Sequence, residues 1–330
     1  MWDNMPVLKA EMELFEQTML GQFKSNKSVH AYLDRLSVDT IKSGGKRLRP
    51  AMTIASAMLG KYQRDKVLST AVSIELLHTA TLVHDDIIDN SPLRRNIPTV
   101  FAREGVNTAV FAGDYLYVKS IQALAAADLP LAYMQQLAKA IEAVCVGEVE
   151  QFRGRGSIPG FKTYLSRISR KTAALFAAAC AVGAHLGGLV DDQIKLAARF
   201  GGYFGIAFQI KDDLLDILER PEATGKPAGN DLKEGIVTLP LILAAASTPA
   251  VYAKAQAYLG ALGGKKTPKR EMAQLLKLVD QCEGITKTQD VLSKYVSKAG
   301  RYLKRLPQTP GREMLRALLE TGFSGYAHKD

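Results

Sequence analysis

The chain has 330 residues, 47% of them hydrophobic and 23% charged, a composition that excludes disordered and collagen-like chains and allows a large buried core. Forty-three Lys and Arg against 33 Asp and Glu leave a net charge of +10, which points to polyanionic partners: nucleic acid, an anionic membrane surface or phosphorylated small molecules. Cys145, Cys180 and Cys282 lie far apart without a C-x-x-C spacing, which argues against a disulfide framework or a thiolate zinc site and fits a reducing cytoplasm.

The first residues, Met1 to Pro6, lack a basic stretch followed by an apolar core, so no secretory leader is expected. Apolar spacing then predicts helices over 7–23, 28–42 and 50–59, with a break at Gly44-Gly45. Lys46, Arg47 and Arg49 follow that break. A basic loop at a helix start is a natural anion site, and the plain alternative is a solvated charged turn. The next helix, 66–90, ends in His84-Asp85-Asp86-Ile87-Ile88-Asp89; Arg94-Arg95 follow the break at Ser91-Pro92. Helices over 105–127 and 131–152 are separated by 128–130, and 161–188 contains Lys171-Thr172. Residues 172–190 form the one uncharged stretch of membrane-spanning length, but its Ala and Gly content favours a core helix. Helix 191–218 ends in Lys211-Asp212-Asp213-Leu214-Leu215-Asp216, and Lys226 sits in the glycine-rich break after it. Helices over 236–247, 269–305 and 310–320 complete the chain. Strand-like alternation scarcely occurs and no break has the length of a linker, so an all-α, single-domain protein over 1–330 is expected.

The pattern D-D-x-x-D occurs twice, at Asp85-Asp86-Asp89 and Asp212-Asp213-Asp216. In each, two carboxylates stand one turn apart on a helix face and repel. One such cluster alone reads more simply as a solvated acidic face. Two clusters, each led into by an apolar helical run, read as carboxylates facing a polar cavity, where oxygen donors suit magnesium and the remaining ligands are waters and substrate phosphates. The nearby cations Lys46, Arg49, Arg94, Arg95, Lys171 and Lys226 would then hold phosphates and stabilise a diphosphate leaving group. His78 lies seven residues before Asp85, within about 20° of it on an ideal helix, and would hydrogen-bond a second anion or serve a structural role. No P-loop, nucleophile-elbow or H-E-x-x-H motif is present.

These residues resemble the trans-isoprenyl diphosphate synthases, the polyprenyl synthetase family. The likeness rests on Gly44 to Pro50, Asp85 to Asp89, Gly113 to Leu116, Gly147-Glu148, Lys171-Thr172, Gln209 to Asp216 and Thr238 to Pro240, all in the family's order. The resemblance implies an isoprenoid synthase type I fold, antiparallel helices around a deep central cavity, and a homodimer. It implies Mg2+ held by Asp85, Asp89 and Asp212, with Asp86, Asp213, Asp216 and Asp231 in support. It assigns Arg94, Lys171, Gln209 and Lys226 to an allylic prenyl diphosphate, with Thr172 beside them, and Lys46, Arg49, His78 and Arg95 to isopentenyl diphosphate. One departure is Ile236, where family members often carry Lys.

In this family the product stops where the cavity below the first motif is blocked. Ala80 and Thr81 are small where short-chain relatives often place an aromatic, so growth is expected to stop deeper, at Leu77, Leu76, Phe111 or Tyr115. On an ideal helix Ala80 points about 140° from Asp85, so its part in the cavity is implied by resemblance rather than by spacing. A heptaprenyl to decaprenyl product is expected, with geranylgeranyl as the alternative. A terpene cyclase normally lacks the second motif and the Gly44–Pro50 loop, and a non-catalytic regulatory subunit usually loses aspartates that are kept here. An accessory subunit for a catalytic chain stays open, as does peripheral membrane contact during product release. Nucleic-acid binding lacks any motif.

Overall fold

The computed structural model describes residues 4–218, 229–262 and 269–326. The chain is all-α apart from one two-residue hairpin. Its helices gather into two compact units, each assembled from separate stretches: Met1–Gln136, Ala178–Ala198 and Arg305–Leu318 in the first, Leu137–Ala177, Arg199–Lys304 and Leu319–Asp330 in the second. Because the units exchange segments of chain, no linker in the sequence marks a boundary between them.

In the first unit α1 (Pro6–Leu20), α2 (Ser28–Lys42) and α3 (Leu48–Ala57) surround the long pair α4 (Arg64–Ile88) and α5 (Val100–Ala126). Helix α4 packs along α5 and also meets α1 and α3. It is apolar all round, as a helix enclosed by others must be; Val67, Ala71, Val72, Ile74 and Leu76 are almost fully buried. It is also the one described helix long and apolar enough to cross a membrane, with 72% of that window buried inside the protein, which marks a core helix. The 172–190 stretch picked from the sequence is instead divided between a π-helical turn, a shorter helix and a connection.

Helix α5 begins at Val100, earlier than the expected 105. Thr99 caps it by accepting the Ala102 N–H at 3.1 Å, and the helix bends at Gly105 (φ 81°) instead of starting there. Between α4 and α5, Leu93–Arg94 pairs with Ile97–Pro98 around the left-handed Arg95 and Asn96, a hairpin too short to leave a strand pattern in the sequence.

Arg47 ties this unit together. It sits in the left-handed region (φ 47°) before α3 and donates to Glu16 at 2.8 Å, Glu75 at 2.8 Å and the Ile41 carbonyl at 2.6 Å. Burial disfavours its charge, but Glu75 and Glu16 outweigh burial and hold the guanidinium above its ordinary value. Glu75 is only 4% exposed, so removing its partner leaves a buried carboxylate uncompensated. Arg47→Met is expected to lower unfolding stability by about 3–5 kcal/mol, read from urea denaturation; a loss under about 1 kcal/mol would contradict this pairing.

In the second unit α6 (Leu131–Arg153) is followed by α7 (Phe161–Ile168), a π-helical turn at Ser169–Ala173, α8 (Ala174–Leu186) and α9 (Asp191–Leu218). Parts of α6, α8 and α9 belong to the first unit. Then come the short α10 (Asn230–Lys233), α11 (Leu239–Ser247), α12 (Pro249–Ala261), α13 (Lys269–Gln281) and α14 (Gly284–Leu303), and last α15 (Pro310–Gly322), most of which belongs to the first unit. Helix α11 is the buried hub, meeting α7, α12, α13 and α14. Phe204 of α9 is fully buried, with ring centroids 5.4 Å from Phe176, 6.1 Å from Phe200 and 5.2 Å from Phe323. The sequence predicts no helix over 249–261; Pro249 is the first residue of α12, a position whose missing N–H costs nothing. The single helix expected over 269–305 is two, parted at Glu283 (φ 61°).

Candidate active site

The first acidic cluster closes α4. Asp86 is 6% exposed and is gripped by Arg94, whose Nε lies 3.0 and 3.1 Å from the two carboxylate oxygens and whose Nη2 lies 2.8 Å from the first. Asp85 and Asp89 are half-buried on the helix end. Arg94, expected to hold a diphosphate, is thus engaged with an aspartate in this structure, and Asp86 is the member of the triplet that positions it. Behind the cluster Gly113 of α5 abuts the His84 ring so closely that a Cβ there would lie 2.2 Å from Nε2. That contact explains the glycine in the Gly113-Asp114 segment.

Around His78 the same unit gathers cations. Burial first, then Arg49, Arg94, Arg95 and Arg47, push the His78 imidazole well below its ordinary value, so it is neutral at pH 7. Burial lowers Arg49 to about 10, with Glu75 opposing. Arg95 is depressed by burial and then by Arg94 and Arg47, and it donates to the Gly44 carbonyl. Guanidinium groups that disfavour one another's charge are relieved by an anion. The structure therefore brings Arg49, Arg94, Arg95, His78 and the Gly44-Gly45 loop together, with Lys46 exposed beside them. Arg47, next to them in sequence, is spent on Glu16 and Glu75.

The second acidic cluster lies on α9. Asp212 is exposed. Asp213 is 3% exposed; Tyr164 donates to one of its oxygens at 2.6 Å and Gln209 to the other at 2.9 Å. Thr172 donates to Gln209 at 2.8 Å, so Thr172, Gln209, Asp213 and Tyr164 form one chain of hydrogen bonds. Asp216 accepts the N–H groups of Asn230 at 3.0 Å and Asp231 at 3.3 Å, which fixes α10 to the end of α9. Lys171 lies in the π-helical turn, paired with Glu148 at 2.8 Å. Gly147 allows that pairing, since a Cβ on it would fall 2.6 Å from the Lys171 nitrogen. Ile236 is buried, its N–H donated to the Asp231 carbonyl at 2.8 Å. Lys226 lies outside the described residues.

Tyr164, Glu148 and Glu75 were not among the residues singled out as site candidates from the sequence. A lone Tyr on an amphipathic helix carries no spacing signal; Glu148 was visible only as half of the Gly147-Glu148 pair.

Burial pushes the Asp213 carboxyl up to about 6. Asp216 is raised by burial, and Asp231 is raised well above the carboxylate range by burial and then by Asp216, Asp213 and Asp212. Among the described residues no three His, Cys, Asp or Glu side chains converge as a metal site. The carboxylate oxygens of Asp212, Asp216 and Asp231 in the second unit nonetheless suit a hard cation that takes its other ligands from water and phosphate, and a cation would relieve the mutual repulsion around Asp231.

A raised carboxyl has a definite sign in stability. The Asp213 value is 3.8 when unperturbed and about 6 here, so the native state holds its proton more tightly than the unfolded chain. Its contribution is full below about pH 4 and lost as pH rises through about 6. The metal-free protein is expected to be less stable at pH 7.5 than at pH 5, by about 1.4 kcal/mol from this group. Melting curves at the two pH values check this, with Asp213→Asn flattening the dependence; an equal slope in the variant would contradict it.

Of the expected chain-length residues, Leu77 and Ala80 are 6% and 3% exposed. Thr81 is half-buried and donates to the His78 carbonyl at 2.8 Å. Tyr115 donates to Asp34 at 2.7 Å, and Phe111 is 64% exposed.

The polyprenyl synthetase family profile matches residues 30–279. The heptaprenyl diphosphate synthase component 2 of Geobacillus stearothermophilus is 36% identical over 317 residues, covering 96% of this chain and 94% of its own. The heptaprenyl diphosphate synthase structure from Staphylococcus aureus superposes with a TM-score of 0.88 at 32% identity, over 96% of this chain and 97% of that one. A geranylgeranyl pyrophosphate synthase structure from Lactobacillus brevis reaches the same TM-score at 26% identity, over 97% and 98%.

Proposed function

This chain belongs to the polyprenyl synthetase family and is a prenyltransferase, and from that premise we propose that it condenses isopentenyl diphosphate with an allylic prenyl diphosphate, with magnesium, to a heptaprenyl to decaprenyl product. The observation that carries the reading is the cation cluster around the neutral His78, beside an acidic helix end in which Asp86 is already neutralised by Arg94.

In this reading the C1–O bond of the allylic diphosphate breaks, the isopentenyl double bond attacks the resulting allylic cation, and a proton is lost, with released diphosphate as its acceptor. Bound Mg2+ supplies charge to the departing diphosphate; Asp85, Asp89 and Asp212 are the residues that would hold it. Lys171 and Gln209 orient the allylic diphosphate, Thr172 and Tyr164 fixing Gln209 and Asp213. Arg49, Arg95 and Lys46 bind isopentenyl diphosphate, and His78, being neutral, adds a hydrogen bond without adding charge. Ile236 is buried, and its alkyl side chain offers a diphosphate no charge and no hydrogen bond.

The small Ala80 and Thr81 upstream of Asp85 favour a longer product, and the G. stearothermophilus relative is a heptaprenyl synthase component by name. The L. brevis likeness supports geranylgeranyl diphosphate as the second reading. The word component in the relative's name raises an accessory subunit for this chain as well. A homodimer draws support from α5, where Val106, Val110, Val118 and Ile121 are 49%, 38%, 49% and 49% exposed. The test is incorporation of labelled isopentenyl diphosphate into a farnesyl primer by the purified chain. Incorporation that EDTA abolishes and Mg2+ restores supports the reading; incorporation indifferent to EDTA defeats it.

A further inference from the structure

A cavity of about 580 Å³ opens in the second unit between α7, α11 and α14, formed by none of the residues discussed above as site candidates. Part of its lining is apolar: Phe161 from α7, Leu243 from α11, and Val291 and Tyr295 from α14. Lys294, Lys298 and Arg301 also line it. At spacings of four and three they share one face of α14. No lining residue is acidic, and none of the three cations is ion-paired among the described residues. The Lys298 ammonium rests 4.5 Å from the Tyr295 ring centroid and 5.7 Å from that of Tyr203, held in place without being neutralised. Three like charges within two turns repel, and a bound anion removes that cost.

Cations and apolar side chains lining one cavity, in a volume typical of small-molecule sites, call for an anion with a hydrocarbon tail. Helix α14 buries its apolar face through Leu292, Val296, Ala299 and Leu303, which leaves no apolar stripe to enter a bilayer. We propose that this cavity is a second prenyl diphosphate site, with the diphosphate on Lys294, Lys298 and Arg301 and the first isoprene units on Phe161, Leu243 and Val291. The choice of ligand rests on the synthase reading; the geometry does not. Since no carboxylate lines the cavity, binding needs no divalent cation.

The test is equilibrium dialysis of the full chain with tritiated geranylgeranyl diphosphate in EDTA. Wild type is expected to bind, Asp85→Asn to bind equally, and Lys294→Glu/Lys298→Glu/Arg301→Glu to bind at least about tenfold more weakly. The neutral variant Lys294→Gln/Lys298→Gln/Arg301→Gln is expected to fall between them, guarding against a folding defect, and both triple variants should keep elongation. No EDTA-resistant binding by wild type, or equal binding by the charge-reversed variant, overturns the proposal. So does capture by phosphatidylglycerol vesicles that depends on these cations without binding of the soluble diphosphate. Elongation without EDTA-resistant binding defeats the cavity alone, whereas EDTA-resistant binding without elongation defeats the synthase reading alone.

Discussion

Asp85→Asn and Asp212→Asn are each expected to lower kcat for elongation by about 10³-fold while leaving the protein folded. Each variant keeps the shape and removes the charge. Asp85 is half-buried at a helix end and Asp212 is exposed, so neither supports a core and the stability cost should stay within about 0.5 kcal/mol. A rate loss of that size corresponds to about 4 kcal/mol in the barrier, the scale on which a preorganised group acts on developing leaving-group charge. Asp213→Asn serves as contrast: that carboxyl is buried between Tyr164 and Gln209, and its loss should act through positioning, with a smaller effect on rate. Initial rates with saturating substrates and Mg2+ distinguish the cases. Activity within about threefold of wild type in either Asp85→Asn or Asp212→Asn would remove the carboxylates from the chemistry.

Ala80→Phe is expected to shorten the product to geranylgeranyl length or less while the first addition still proceeds. Ala80 is 3% exposed on α4, about one and a half turns before Asp85. In the proposed reading an added phenyl ring takes space that a growing chain would use, at an overpacking cost of about 1–3 kcal/mol. Thr81→Phe is expected to act in the same direction at a lower packing cost, since Thr81 is half-buried and gives up only a hydrogen bond to its own helix. Reversed-phase chromatography of dephosphorylated products reads the outcome. An unchanged product length in both variants would place the stop elsewhere.

The features legible in the sequence were those that break an ordinary rule. Aspartates stacked one turn apart at the end of an otherwise apolar helix repel one another, so Asp85 to Asp89 and Asp212 to Asp216 stood out, and the order of the flanking motifs carried the family. Long helices such as α4 and α9 were legible for the opposite reason, their apolar residues recurring at helical spacing over many turns. Pairings between distant segments were not legible. Nothing near Arg47 announces Glu16 and Glu75, and its neighbours Lys46 and Arg49 look equivalent to it until the fold spends it on those two carboxylates. Tyr164 became a partner of Asp213 only because α7 and α9 lie together. Element boundaries were not legible either: Pro249 opens a helix that was not expected, the helix expected to begin at 105 starts at Val100 and bends at Gly105, and Glu283 takes a left-handed conformation that its residue type does not advertise.

The central claim is that this chain alone builds a long prenyl chain. The most direct measurement incubates the purified protein with Mg2+, labelled isopentenyl diphosphate and farnesyl or geranylgeranyl diphosphate, then reads product length. Heptaprenyl or longer diphosphate, absent from the Asp85→Asn and Asp212→Asn variants, is the predicted result. A folded protein that elongates neither primer, or that stops at geranylgeranyl diphosphate, would contradict it.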